Sequence, residues 1–354
     1  MSNVKYWINV TFIGCFLSVM LPLVAFSDIT GVTGELSHGQ QIVISGYSFG
    51  TKIPAAPLLW DTFEYGSNGD DLSNYPNWTM YGGAGATHGG FISTASSYSG
   101  TRAAYNRVTG ADSSCDFCTS YATFSPSLTV YYSYMSRYVV TGDKYVVFKN
   151  GRINASPNHY NGAGTTYFSN NSSDWYSDAT TSGGVEWHSG LNSPSWTRHE
   201  IYREDSDPGV ANGRVTMSIG NTVVRDNTNV VTRTSAQGSM YHDNIILGMM
   251  FANARNDGDH RAWIDDVYVD NTRARLELCT GSTWANRTSC NIQIPVDWSD
   301  TSIRATVNTS GFTSGQNAYL YVVDRNNVVS GGYPVVIDGV ANNIILPPPQ
   351  VFIE

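Results

Sequence analysis

The chain carries little charge, and basic residues are the scarcer kind. Of its 354 residues, 14% are charged, and 29 acidic residues outnumber 20 basic ones, for a formal net charge of −9. A nucleic-acid-binding surface needs clustered Lys and Arg to neutralise phosphates. An anionic membrane surface attracts basic segments for the same reason. The composition therefore disfavours nucleic acid and a membrane surface as partners.

Several catalytic signatures are also missing. The seven histidines form neither an HxH nor an HExxH pattern, so a catalytic transition metal is not expected. A glycoside hydrolase needs two carboxylates across the scissile bond. The Glu-x-Asp-x-x-Glu strand of laminarinase-like hydrolases, which would supply them, does not occur in the sequence.

The first 27 residues predict a secretory signal peptide. Lys5 is followed by an apolar run over residues 8–26, and Ala25-Phe26-Ser27 has the small-x-small form of a cleavage site. No later stretch is long and apolar enough to span a bilayer, so no membrane insertion is expected after cleavage. A retained membrane anchor is the alternative. We expect a secreted, cell-surface or periplasmic protein that begins at Asp28.

Cleavage removes Cys15 and leaves two close pairs of cysteines, Cys115 with Cys118 and Cys279 with Cys290. An even number of cysteines in an exported chain predicts disulfides. The second pair would close a hairpin. The alternative is a four-cysteine zinc site, although only the first pair has CxxC spacing.

The distribution of apolar residues predicts an all-β fold. Few segments have a helical period, and short runs of β-branched and aromatic residues alternate with Gly, Asn, Asp and Ser clusters. Such a pattern is typical of a β-sandwich or barrel. Residues 82–90 and 169–184 are polar and are expected to form long loops. The predicted strands are residues 41–45, 127–137, 144–149, 197–203, 214–219, 245–251, 262–269, 302–307 and 318–323.

The two ends of the chain share features of one small domain. An alternating strand ends at Gly46 and Gly50, where the backbone needs a positive φ or a tight bend. The stretches concerned are Ile29-Thr30-Gly31-Val32, residues 39–50 (GQQIVISGYSFG) and Trp298-Ser299-Asp300-Thr301-Ser302-Ile303. They resemble the immunoglobulin-like IPT/TIG family. The resemblance implies a discontinuous Ig-like β-sandwich over residues 28–53 and 272–340, followed by a tail at 341–354.

The intervening segment, residues 54–271, has three motifs of its own. They are Leu59-Trp60-Asp61-Thr62-Phe63-Glu64, the hairpin of residues 196–202 (WTRHEIY) and 212–219 (NGRVTMSI), and Trp263-Ile264-Asp265-Asp266-Val267-Tyr268-Val269. They resemble the concanavalin A-like jelly rolls of laminin-G-like domains and polysaccharide lyases. The resemblance implies a jelly roll inserted in the Ig-like domain, with an extracellular polysaccharide as partner.

The first and last motifs suggest a structural calcium ion. In many such sandwiches the first and last strands lie side by side, so Glu64 would share a cation with Asp265 or Asp266. Backbone carbonyls would complete the oxygen shell. The alternative is that the two aspartates pair with Arg261 or cap a turn.

The strand around Arg198 is the best functional candidate. Alternation places Arg198, Glu200 and Tyr202 on one face and His199 and Arg203 on the other. A face of guanidinium, carboxylate and phenol is poorly suited to a dry core. It suits the concave face of a jelly roll, where an acidic or neutral sugar would bind. The alternative is an ion pair on a solvated sheet face.

Four further residues are candidate sugar contacts. Tyr145 and Lys149 share one face of their predicted strand, and Trp175 and Trp187 lie in a polar region where their rings could stack on sugars. Such aromatic residues more often fill or cover a sandwich core.

The Arg-x-Glu at Arg198 resembles part of the Arg-x-Glu-x-Arg strand of alginate lyases. In a lyase, Arg198 with His199 or His159 would neutralise the uronate carboxylate, and Tyr202 or a histidine would remove the α-proton. However, Arg203 faces the other way, and the Gln-Ile-His and Tyr-Phe-Lys motifs of that family are not evident. The sequence therefore favours a carbohydrate-binding protein. A polysaccharide lyase and a surface structural or adhesive protein are the alternatives.

Overall fold

The computed structural model describes residues 27–81, 89–109, 119–141, 147–156, 166–171, 174–179, 184–189, 194–247, 250–252 and 259–341. Short 3-10 helices span Leu72–Asn74, Ser235–Gln237 and Trp284–Asn286. No helix of the described ranges is long and apolar enough to cross a membrane. The strands are β1 (Asp28–Glu35), β2 (Gln41–Tyr47), β3 (Leu59–Asp61), β4 (Thr79–Tyr81), β5 (Phe91–Ser93), β6 (Ala103–Thr109), β7 (Thr119–Ser127), β8 (Thr129–Thr141), β9 (Val147–Ser156), β10 (Thr166–Asn171), β11 (Asp174–Ala179), β12 (Gly184–Ser189), β13 (Thr197–Glu204), β14 (Gly213–Ile219), β15 (Thr222–Val230), β16 (Tyr241–Ile246), β17 (Met250–Ala252), β18 (Asp259–Asp270), β19 (Arg275–Cys279), β20 (Cys290–Trp298), β21 (Ser302–Thr306), β22 (Asn317–Val323), β23 (Tyr333–Val336) and β24 (Val340–Ala341).

Two of the three sheets formed by the described residues make up a jelly-roll β-sandwich. The front sheet has the order β15-β14-β13-β8-β18-β6-β5, with β3 on β18, and the back sheet has the order β12-β11-β10-β9-β16-β7-β4, with β17 on β9. Tyr132 and Ile201 of the front sheet share one buried core with Ile153 and Phe168 of the back sheet. The all-β fold class predicted from the sequence is confirmed.

The third, terminal sheet is built from both ends of the described chain. Its order is β23-β22-β19-β20-β21-β2-β1-β24. Strand β20 pairs with β19 and with β21, and its register shifts between Pro295 and Asp297. Such a shift bends a strand. The two halves enclose a second core, in which Ile44 and Ile303 pack with Leu278 and Leu320. This is the small discontinuous Ig-like sandwich; its assignment to the IPT/TIG family and the domain boundaries stay predictions.

Of the two glycines near the end of β2, Gly50 has the positive φ expected of it, and Gly46 lies in a crowded position of the strand. Gly50 has a φ of +71°, which costs a side-chain-bearing residue free energy. A Cβ atom on Gly46 would lie 2.1 Å from the carbonyl oxygen of Asp28 and 2.4 Å from the ring of Phe49.

The predicted loop at residues 169–184 is wrong. β10 and β11 pair there in antiparallel register, and β11 pairs with β12, so the backbones of Trp175 and Trp187 lie in strands. Backbone hydrogen bonds hold a sheet together without apolar side chains, so a polar composition did not reveal these strands. The strand predicted at 245–251 is divided between β16 and β17. Residues 82–88 of the other predicted loop lie outside the described ranges.

The outer face of the front sheet packs against the Ig-like sandwich. A small apolar cluster joins Tyr131, Tyr202 and Tyr268 of the front sheet to Ile292 of β20, with Trp60 at its edge. This contact between the two sandwiches, here called the junction, is the surface on which the Arg198 side chain lies.

Candidate functional site

Arg198 links the two sandwiches. Its two terminal nitrogens donate to the two carboxylate oxygens of Glu277 on β19, at 2.7 and 2.9 Å. Its Nε donates to Ser133 at 2.9 Å, and one terminal nitrogen also donates to the hydroxyl of Tyr131 at 2.8 Å. The paired arrangement is the strong, bidentate form of an arginine–carboxylate contact. The guanidinium is therefore engaged by the protein itself.

A second arginine completes this network. Arg275 Nε donates to Glu277 at 2.6 Å, and its guanidinium lies 4.9 Å from the centroid of the Tyr131 ring. Glu200 accepts from the Tyr131 hydroxyl. Burial by itself raises the pKa of Glu277, but Arg198 and Arg275 outweigh it and hold that pKa at about 2. Two buried arginines are thus balanced by two carboxylates.

The predicted alternation of β13 is confirmed, but its polar face does not lie on an open concave surface. Arg198, Glu200 and Tyr202 all face the junction. The sequence could not reveal this, because Glu277 is 79 residues away from Arg198. The charged groups of this face pair with groups of the Ig-like sandwich.

His199 lies on the opposite face of β13, in the jelly-roll core. Its ring stacks on Tyr134 at 5.4 Å between centroids and meets Phe168 edge-on at 5.2 Å, while its Nδ1 is 2.8 Å from the hydroxyl of Ser136. Burial lowers the pKa of His199 to about 3. The ring is therefore neutral at ordinary pH and remote from the polar face that carries Arg198, unlike a base acting beside it.

Tyr202 holds its proton firmly. Its hydroxyl donates to Glu204 at 3.0 Å, and the guanidinium of Arg273 lies 4.1 Å from its ring centroid. Burial, with the negative charge of Glu204, raises the pKa of Tyr202 well above its ordinary value. The phenolate that a lyase base would need is therefore disfavoured here.

The other predicted sugar contacts are not brought to Arg198. Tyr145 and His159 lie outside the described residues. Lys149, Trp175 and Trp187 are described by their backbones, which lie in β9, β11 and β12 of the back sheet. Their roles as sugar contacts stay predictions.

The predicted calcium ligands are held by separate donors. β3 pairs with β18, as the prediction assumed. However, Glu64 accepts from the backbone of residues 101–102, whereas Asp265 accepts from the backbone of residues 98–99. Asp266 accepts from Asn308 at 2.8 Å. The three carboxylates do not form one cluster of donors within 4.8 Å of one another. This geometry does not support a shared cation, and calcium binding stays a prediction.

The predicted hairpin disulfide is confirmed. Cys279 and Cys290 are bonded and occupy paired positions of β19 and β20. Glu277 lies close to both sulfurs, but disulfide sulfurs are not the thiolates that bind metals. Cys115 and Cys118 lie outside the described residues.

The sequence contains a Gly-x-Ser-x-Gly pattern at Gly46-Tyr47-Ser48-Phe49-Gly50, and Ser48 has a φ of +58°. A nucleophile elbow needs a strand, a sharp turn and a helix. Here β2 is followed by irregular chain and then β3, with no helix between them. The backbone N–H groups of Phe49 and Gly50 instead bond to Asp300. The pattern therefore ends a strand of the Ig-like sandwich.

Two of the larger clefts among the described residues lie where the sandwiches meet. The first, here called the aromatic cleft, has a volume of about 260 Å³ and is lined by Tyr98, Trp196, Trp284, Arg287, Arg198 and Glu200. The rings of Tyr98 and Trp196 are 6.1 Å apart, and the Arg287 guanidinium lies 3.8 Å from the centroid of Trp284. All three aromatic side chains are partly exposed. The cleft therefore combines partly exposed aromatic side chains with charged and polar groups.

The second cleft, here called the arginine cleft, lies at the other end of β13. It has a volume of about 440 Å³ and is lined by Lys52, Tyr202, Glu204, Arg214, Arg273 and Arg325. Tyr202 lines this cleft, whereas Arg198 lines the aromatic cleft.

Sequence reasoning did not single out Tyr98, Trp284 or Arg287. The signal available was an aromatic residue inside a short, disulfide-closed hairpin; in the structure Trp284 is partly buried against Tyr321 and the disulfide. Trp284 and Arg287 both lie between Cys279 and Cys290.

No family model and no curated protein matches the chain. Among solved structures, the alginate lyase Aly36B is 12% identical, with 61% of this chain and 98% of that chain covered and a TM-score of 0.43. An endo-β-1,4-glucuronan lyase from the fungus Trichoderma reesei is 15% identical over 58% and 94% of the two chains, with a TM-score of 0.41. The cellulose-induced protein Cip1 is 14% identical over 60% and 97%, with a TM-score of 0.39. At TM-scores below 0.5, this likeness carries no argument about substrate or activity.

Proposed function

We propose that the protein is exported and binds an extracellular polysaccharide at the aromatic cleft without cleaving it. The observation that carries this proposal is the set of partly exposed rings of Tyr98, Trp196 and Trp284 beside Arg287 and Glu200. Aromatic faces stack on the apolar faces of sugar rings, and neighbouring polar groups bond to the hydroxyls. The disulfide between β19 and β20 supports an oxidising, extracytoplasmic location.

Binding is favoured over β-elimination by the state of the polar groups. A lyase needs a cation free to neutralise a uronate and a base that can accept a proton. Arg198 is occupied by Glu277, which leaves Arg287 as a cation of the cleft, so the group that the described lining lacks is the base. No histidine lines the cleft among the described residues, and burial raises the pKa of Tyr98 to about 12.

The test is affinity for a panel of neutral and uronate-containing polysaccharides, measured by affinity electrophoresis. Trp284→Ala and Trp196→Ala are expected to weaken retention at least about fivefold, because each removes a stacking face worth roughly 1 kcal/mol. Tyr47→Ala is the matched control: Tyr47 is an exposed aromatic residue outside the cleft, and its loss should leave retention unchanged.

Each alternative has its own outcome in the same panel. An unsaturated product that absorbs in the ultraviolet would establish a polysaccharide lyase and overturn non-catalytic binding. If both tryptophan variants are retained on the glycan as strongly as the wild type, the aromatic cleft is not the binding site. Absence of retention and of product on every glycan would favour a surface structural or adhesive protein.

A further inference from the structure

The arginine cleft contains a buried cation without a carboxylate partner. Arg273 is 6% exposed, and its guanidinium covers the ring of Tyr202. No carboxylate oxygen of the described residues lies within the 4.0 Å of an ion pair with it. Buried charges are normally paired, because leaving water costs them several kcal/mol. Burial, with the like charges of Arg214 and Arg275, lowers the pKa of Arg273.

Two other cations of the cleft, unlike Arg273, have carboxylate partners. Lys52 pairs with Asp270 at 2.7 Å, and Arg214 pairs with Asp226 at 2.9 Å, so these two cations are already satisfied.

Arg325 is exposed in the turn after β22 and also has no ion pair with a described carboxylate. Glu204 is the one acidic residue among the described residues of the lining, and it accepts from the Tyr202 hydroxyl. A chain with a net charge of −9 therefore opens a cleft that holds two uncompensated arginines.

We propose that the arginine cleft is a binding site for an oxyanion group, a carboxylate or a sulfate ester, carried by an acidic sugar. A guanidinium presents a planar pair of N–H donors that matches two oxygens of such a group. Arg273 supplies this fork from its position over the ring of Tyr202, and Arg325 adds a second cation from the Ig-like sandwich. The site is separate from the aromatic cleft and does not depend on it.

The experiment is calorimetric titration of the full chain at low salt with sodium glucuronate, sodium sulfate and glucose. Glucuronate or sulfate should bind and glucose should not, and added sodium chloride should weaken binding by screening. Tighter binding of glucuronate would identify a carboxylate site, and tighter binding of sulfate would identify a sulfate site. Equal binding of glucose and glucuronate, or no binding of either anion, would overturn the proposal.

Four variants test the assignment of residues. Arg273→Gln should weaken anion binding about tenfold, the loss of one charge-assisted contact, and the exposed Arg325→Gln should weaken it severalfold without a risk to folding. Glu204→Gln should strengthen binding, because it removes the competing negative charge. Arg304→Gln, an exposed arginine outside the cleft, is the matched control.

If Arg273→Gln and Arg325→Gln both bind glucuronate and sulfate with wild-type affinity, the arginine cleft is not the anion-binding site. Trp284→Ala should bind the anions normally, so failure of the aromatic cleft and failure of this site are distinguishable.

Discussion

At the scale of a residue, burial decides what His199 can do. The sequence places it beside Arg198, which makes it an attractive catalytic base. Alternation sends its ring the other way, between Tyr134 and Phe168, where a charged imidazolium would lose its hydration. Because neighbouring residues of a strand point to opposite faces of the sheet, His199 lies in the jelly-roll core and Arg198 lies at the junction.

The buried His199 should make the protein sensitive to acid. The pKa of His199 is about 3 in the folded protein against 6.5 for an ordinary histidine. Between these two pH values, His199 is protonated in the unfolded chain and neutral in the folded chain. Stability should therefore fall as the pH falls from 6.5 toward 3, by about 3 kcal/mol at pH 4 from this group.

Urea unfolding of His199→Gln at pH 7, 5.5 and 4 should show a shallower loss than the wild type. The exposed His38→Gln is the control and should follow the wild-type curve. Parallel curves for His199→Gln and wild type would contradict the buried neutral ring.

At the scale of an element, the hairpin of β19 and β20 has two functions. Its paired strands present Glu277 and Ile292 to the jelly roll, and its loop presents Trp284 and Arg287 to the aromatic cleft. The disulfide ties the ends of that loop together. The sequence predicted the bond from cysteine spacing and export, but the loop's position at the junction depends on how the two sandwiches dock.

Removing this disulfide should loosen the cleft as well as the fold. The double variant Cys279→Ala, Cys290→Ala should lose roughly 2–4 kcal/mol of unfolding free energy and bind glycan more weakly, because one wall of the cleft is less ordered. Dithiothreitol should lower the midpoint of the wild type toward that of the variant. A variant with wild-type stability and retention would show that the hairpin needs no covalent closure.

At the scale of the whole molecule, the junction is an ionic contact around a small apolar cluster. Arg198 and Arg275 converge on Glu277, whose side chain is 1% exposed. A buried pair adds little net stability, but breaking it leaves uncompensated charge. The two sandwiches should therefore unfold together while this network is intact.

Glu277→Gln should cost about 3–5 kcal/mol, because it leaves two buried arginines with one carboxylate fewer. Asp297→Asn is the matched control, since its pair with Arg304 is exposed and should contribute under about 1 kcal/mol. Denaturant unfolding followed by tryptophan fluorescence measures both. Equal costs would show that the junction does not depend on Glu277.

The same network fixes a pH window. The pKa of Glu277 is about 2 in the folded protein against an ordinary 4.5. Its contribution is therefore complete above about pH 4.5 and is lost as the pH falls toward 2. The Glu277→Gln variant should lack this part of the acid loss.

The sequence by itself determined the all-β fold, fewer than half of the 24 described strands, the alternation of β13 and the hairpin disulfide. These depend on local patterns: side-chain period, turn residues and cysteine spacing. It missed the polar strands β10 and β11, because backbone pairing does not need apolar residues. Only the tertiary structure decided that Arg198 meets Glu277 and that Arg273 has no carboxylate partner among the described residues. Those facts depend on which distant surfaces dock, and no local pattern encodes the docking of two sandwiches.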